Sequence, residues 1–155
     1  MEPRFNISGR ISKPVAEVFE AVADPEKLSG YFATGGASAR LETGSTVHWS
    51  FHDHPEIDPF PVEIIEVIPN EKIVFKWEAN DSGKDGNPVY LTTTTIEFDA
   101  IEPDRTLVTI SESGWNETDS SVQAAFDNCS GWAQVLCALK VYIEHGINLR
   151  EGFYK

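Results

Sequence analysis

The sequence predicts an α+β fold: a curved antiparallel sheet of about six or seven strands wrapped around a long C-terminal helix, with short helices between the first two strands. Three observations carry this prediction. From Ser120 to Gly146 apolar residues recur at steps of three and four, the period of an amphipathic helix. Between Val47 and Ser113 alternating runs follow one another through turns, with no helical period among them, which is the pattern of an antiparallel meander. A short helical pattern, Pro14 to Leu28, interrupts the strands near the start.

In order along the chain, residues 4–11 place Phe5, Ile7 and Ile11 on one side and Arg4, Asn6, Ser8 and Arg10 on the other, a half-buried strand. Pro14 suits the first turn of a helix with the stripe Val15, Val18, Phe19 and Val22; Asp24-Pro25 ends it and starts a shorter turn through Leu28. Tyr31 and Phe32 follow. Gly35, Gly36 and Gly44 mark turns around a short strand, after which Val47, Trp49 and Phe51 alternate with His48, Ser50 and His52. The Pro-rich segment 52–61 reads as a loop. A strand follows from Val62 to Ile68, where Ile64 and Ile65 are both apolar, so alternation does not choose the inner face. Pro69-Asn70-Glu71 turns the chain into a strand alternating Ile73, Phe75 and Trp77 with Val74, Lys76 and Glu78. A hairpin loop over 80–88 leads to Tyr90, Thr92, Thr94, Ile96 and Phe98 on one face; Pro103-Asp104 turns into a last strand with Val108, Ile110 and Glu112 together.

The terminal helix is predicted to turn Ala125, Cys129, Trp132, Leu136, Leu139 and Ile143 inward and Gln123, Asp127, Ser130 and Gln134 towards water. Ser120 with Gln123 reads as a capping box, and Gly146 as the left-handed residue that closes the helix, with Ile147 packing back towards Tyr142. The span is roughly 24 residues and about 36 Å.

With 155 residues, the whole chain, 1–155, is expected to form one domain. A net charge of -13 leaves no basic track for a phosphate backbone and disfavours anionic membranes, so neither nucleic acid nor membrane is an expected partner. No segment is apolar enough to span a bilayer and the N-terminus has no signal core, so a cytoplasmic location is expected. Cys129 and Cys137 lie two helical turns apart, about 12 Å, too far for a bridge. Phosphate-loop, dinucleotide and nucleophile-elbow motifs are missing, which argues against an NTPase, a nicotinamide enzyme or a serine hydrolase; no cofactor is expected.

Three constellations are chemically suggestive. Phe32, Trp49, Phe75, Trp77, Tyr90, Trp132 and Leu136 would converge on the space between sheet and helix, either as the wall of a ligand pocket or as packed core. Glu112 shares the inner face of its strand. It is expected at the strand end, reaching water at a cavity mouth; a desolvated Glu112 would instead be a candidate general acid or base, with Tyr90 or Glu66 as partner. His52, Asp53, His54, Glu56 and Asp58 are metal-ligand types in a loop with nothing to aim them, and no metal is expected there. His48 should face outward, and His145 sits where a helix C-terminus favours a cation.

Several words of the sequence are familiar. Ser12 to Leu28 (SKPVAEVFEAVADPEKL) with Tyr31-Phe32, Pro69 to Trp77 (PNEKIVFKW), Glu112-Ser-Gly-Trp115, and Gly131-Trp132 leading to Leu139-Lys140 and Tyr142 resemble the activator of heat-shock protein 90 ATPase homologue family, within the START-like, helix-grip (SRPBCC) superfamily. The resemblance spans nearly the whole chain in order. It implies a helix-grip fold with a deep, mostly apolar cavity between sheet and long helix; the aromatics converging on the two facing surfaces make a small apolar or aromatic ligand the expected partner, with a link to stress response. Co-chaperone members stimulate a chaperone ATPase with an additional N-terminal domain. Three residues precede the first predicted strand here, so that domain is expected to be missing. Three functions remain open: a binding module, an accessory to a heat-shock protein 90 type ATPase, and an enzyme of cyclase or dehydratase type using Glu112 and Tyr90.

Overall fold

Alternation resolves into seven strands of one antiparallel sheet, and the two helical periods into the elements that cover it. The computed structural model describes residues 1–155. Its elements are β1 (Phe5–Ile11), α1 (Val15–Ala23), α2 (Pro25–Leu28), β2 (Gly36–Ala37), β3 (Thr46–Ser50), β4 (Phe60–Ile68), β5 (Lys72–Glu78), β6 (Leu91–Glu102), β7 (Arg105–Ser113) and α3 (Asp119–His145). The sheet order is β1-β7-β6-β5-β4-β3-β2, so the first strand closes against the last and the rest follow as a meander. This is the helix-grip architecture, a curved sheet carrying the long α3.

Local chemistry explains the details that alternation leaves open. The doubled apolar pair in β4 is absorbed by a bulge between Ile64 and Glu66, which buries Ile64 and leaves Ile65 exposed. β4 begins at Phe60, before Pro61, rather than after the Pro-rich loop. Pro61 faces His48, whose N–H goes to Ser38 Oγ at 2.8 Å and whose carbonyl accepts from Ser38 N–H at 2.9 Å, so this pair needs no donor from proline.

The start of α3 corrects the expected capping box. Thr118 is the cap; its Oγ1 accepts from Ser121 N–H at 3.1 Å, while Ser120 Oγ accepts a hydrogen bond from Asn87 Nδ2 at 3.1 Å. Thr118→Ala is therefore expected to cost about 1 kcal/mol in chemical denaturation. A larger loss for Ser120→Ala would contradict the assignment. At the other end Gly146 adopts φ 70° and donates to the Tyr142 carbonyl at 2.8 Å, as predicted, although Ile147 is exposed rather than packed back.

The helix runs close beside β1. A Cβ at Gly9 would lie 3.1 Å from Leu136 Cδ2, so the small residue permits the approach. Lys140 Nζ donates to the Arg10 carbonyl at 2.9 Å, and Ser12 N–H donates to Glu144 Oε2 at 3.2 Å. One large core, from Ile11 through Leu139, fills the space between sheet and helices, and a small second cluster of Ala79, Trp115, Ala124 and Ala125 closes the α3 N-terminal end.

Candidate functional site

The inner faces of β3, β5 and α3 bring Trp49, Phe75, Trp77 and Trp132 together with Phe32. Their rings pack edge-on or tilted: Phe32 to Trp49 and to Trp132 at 5.3 Å, Trp49 to Phe75 at 5.2 Å, Trp77 to Trp132 at 5.5 Å between centroids. Leu136 joins them from α3. The protein's own rings therefore occupy the space where a deep cavity is expected. A void of about 20 Å³ is left, bounded by residues that include Val22, Phe32, Trp49, Ile110 and Trp132. It has room for one water, but its wall is wholly hydrophobic and offers none of the partners a water needs. Trp49 Nε1 and Thr94 Oγ1 are buried nearby in the sheet without a hydrogen-bond partner.

Glu112 lies at the heart of this packing. It is 1% exposed, which corrects the expectation that it reaches water. Period two turns it inward from β7, and four donors converge on it. Trp77 Nε1 (2.9 Å) and Thr92 Oγ1 (2.6 Å) donate to Oε2; Trp132 Nε1 (3.0 Å) and Asn128 Nδ2 (3.1 Å) donate to Oε1. Burial pushes the carboxyl pKa up, and these hydrogen bonds, Thr92 first, oppose the rise. The carboxylate thus ties three strands to α3 by polar bonds through an aromatic core.

Tyr90 belongs elsewhere, a second correction. It packs against the Trp115 cluster, its hydroxyl bonds Asp81, and Asp81 Oδ2 accepts from Ser121 Oγ at 2.6 Å and Asn87 Nδ2 at 3.0 Å. Burial, then the Asp81 bond, raises the Tyr90 pKa. Glu66 pairs with Lys72 at 2.7 Å on the outer face of the sheet. Neither partner proposed for Glu112 shares its site, so the acid–base pair needed for the cyclase-type reading is not assembled. In the loop after β3, His54 Nδ1 lies 3.1 Å from Glu56 Oε1, and Asp53 is held by Arg150.

An apolar cleft lies on the other side of α3. There residues 147–155 fold back along the helix, and a cleft of about 350 Å³ opens between them and the α3 face carrying Ser130, Ala133, Gln134, Cys137 and Ala138. Leu149, Arg150, Phe153 and Tyr154 form the opposing wall, and Tyr154 Oη bonds Gln134. Tyr31 and Val135 line both this cleft and the interior void, forming the partition between them. Arg150 anchors the tail: Nε and Nη2 donate to Asp53 at 3.0 and 3.3 Å, and its guanidinium lies 4.4 Å from the Phe51 ring and 4.9 Å from the Tyr154 ring.

The model of the activator of Hsp90 ATPase homolog 1-like protein family matches residues 12–144, most of the chain. The chain belongs to that family. Three solved structures share this fold. The protein SSP2350 of Staphylococcus saprophyticus is 29% identical, with 94% of this chain and 96% of that one covered and a TM-score of 0.73. The dimeric Aha1 of Colwellia psychrerythraea is 22% identical over 92% of this chain and 97% of that one, with a TM-score of 0.70. PFC0360w of Plasmodium falciparum, an HSP90 activator, is 20% identical over 92% and 96%, with a TM-score of 0.68; the last two likenesses bear on fold alone. Comparison with curated proteins finds no match. The family match stops at residue 144, so the tail wall of the cleft, Leu149 to Tyr154, lies outside the matched region. Sequence reasoning passed over that wall. Its signal was present in the apolar spacing of Leu149, Phe153 and Tyr154, and Ser130 and Gln134 were assigned to water because only one face of α3 was given a partner.

Proposed function

We propose that this family member is a binding module for a small, largely apolar or aromatic ligand, held in the cleft between α3 and the C-terminal tail. The supporting observation is the contrast in volume, about 350 Å³ in the cleft against about 20 Å³ between sheet and helix. Small-ligand sites usually occupy roughly 300 to 1,000 Å³ with a mostly apolar lining and a few polar groups. Eight of the eleven cleft residues are hydrophobic, and Ser130, Gln134 and Arg150 supply the polar groups. Cys137 lines the same cleft and serves as a reporter. A bound apolar molecule is expected to slow alkylation of Cys137 and raise the melting temperature. A panel of aromatic and aliphatic compounds that leaves both unchanged, with no adduct in native mass spectrometry, defeats the reading.

The family match favours a second reading, that the chain acts on an Hsp90-type ATPase. The ATPase rate of that chaperone with and without this chain decides it, and an unchanged rate with no complex detected rejects it.

A further inference from the structure

Arg150 lines two spaces at once. On one side is the apolar cleft; on the other is a groove of about 560 Å³ with no hydrophobic residue in its wall, where His52, Asn148, Glu151 and Lys155 lie. The guanidinium is only partly used. Asp53 occupies the edge formed by Nε and Nη2, and Nη1 makes no hydrogen bond. The buried side-chain atoms without a partner are Trp49 Nε1 and Thr94 Oγ1, so Nη1 is not sealed away. An arginine has two edges that match a carboxylate, and here Nη1 is without an acceptor on a residue that borders both the apolar and the polar space. Phe51 and Tyr154, on which the guanidinium stacks, hold its plane in place, so little freedom is lost when a second acceptor arrives.

We propose that the ligand is an amphiphile ending in a carboxylate: its apolar body lies against Ala133, Cys137 and Phe153, and its carboxylate accepts from the free end of Arg150. The inference rests on the cleft being a binding site and adds the charge and polarity of what binds.

The test uses the full chain with decanoate, decanol and decyltrimethylammonium as probes, by calorimetry. Arg150→Gln is expected to weaken decanoate about tenfold or more, the usual size for loss of a charge-assisted hydrogen bond, and to leave decanol within about threefold. Equal losses for both probes would mean that Arg150 only holds the tail, and would overturn the proposal. So would an unchanged decanoate affinity, or tighter binding of the cationic probe than of decanoate by the natural chain. Asp53→Asn keeps the arginine and removes its competing anion, so the preference for decanoate over decanol should not fall below that of the natural chain; a lower preference sinks the assignment. If decanol binds and decanoate gains nothing from Arg150, only the carboxylate is wrong; if no probe binds at all, the cleft itself is wrong.

Discussion

Glu112→Ala is expected to lower unfolding free energy by about 3 kcal/mol or more, because it strands two indole N–H groups, an amide and a hydroxyl in the core at about 1–3 kcal/mol each, offset in part by removal of a desolvated charge. Equilibrium denaturation followed by tryptophan fluorescence measures it, and a loss below 1 kcal/mol would mean that the four donors find other partners. Glu112→Gln keeps the shape, removes the charge and isolates the pH effect. The folded-state pKa of Glu112 is raised by burial, so the folded protein holds this proton more tightly than the unfolded chain. The contribution is fully present below the ordinary glutamate value and is lost as pH rises through the raised folded value. Stability of the natural protein minus that of Glu112→Gln should therefore fall as pH climbs from the ordinary value upward. Glu20, Glu56, Glu117 and Glu144, whose pKa values are lowered, slope the opposite way in both proteins and cancel in the difference.

Trp132→Ala should be comparably costly, about 3–5 kcal/mol, by the measure of large aromatic deletions in cores. Trp132 is 4% exposed, packs at a tilt against Phe32, Phe75 and Trp77, and gives one of the donors to Glu112. Its removal enlarges the void it already borders. The new space is apolar except for Glu112 Oε1, which has lost its indole donor. Added indole should therefore restore part of the stability, in proportion to its concentration over its dissociation constant. Denaturation midpoints with and without indole check this; no recovery would mean that the rings collapse into the gap. If the natural protein responds to indole as strongly as the variant does, the interior is not as full as the packing indicates.

Most of the architecture was legible because both periods were clean. Phe5, Ile7 and Ile11 alternate as β1 does, and Trp132, Leu136 and Leu139 stack as α3 does. The interior was harder to judge. The list of inward residues was nearly right, but pattern gives direction and not volume. Whether Trp49, Phe75, Trp77 and Trp132 surround a space or fill it depends on how far α3 stands from the sheet, and Gly9 against Leu136 lets it come close. Glu112 shows the same limit: alternation pointed it inward correctly, yet its burial depends on Trp77, Thr92, Asn128 and Trp132, which come from three other elements. The cleft escaped detection because the apolar spacing of Leu149, Phe153 and Tyr154 is too short a run to name the surface it packs on. Ile64 and Ile65 failed for a different reason, since a bulge breaks the count that alternation depends on.

The contacts that Lys140 and Glu144 make with the first strand have a bearing on self-association. A sheet that ends in unpaired backbone groups invites another chain to add on, and an open, seven-stranded sheet has two such borders. One border is a strand of two residues, too short to template a newcomer. At the other, the Arg10 carbonyl and the Ser12 amide are already plugged by charged side chains. One margin is thus short, and the end of the other is covered by a lysine and a glutamate, which narrows the stretch of backbone open to a neighbouring strand.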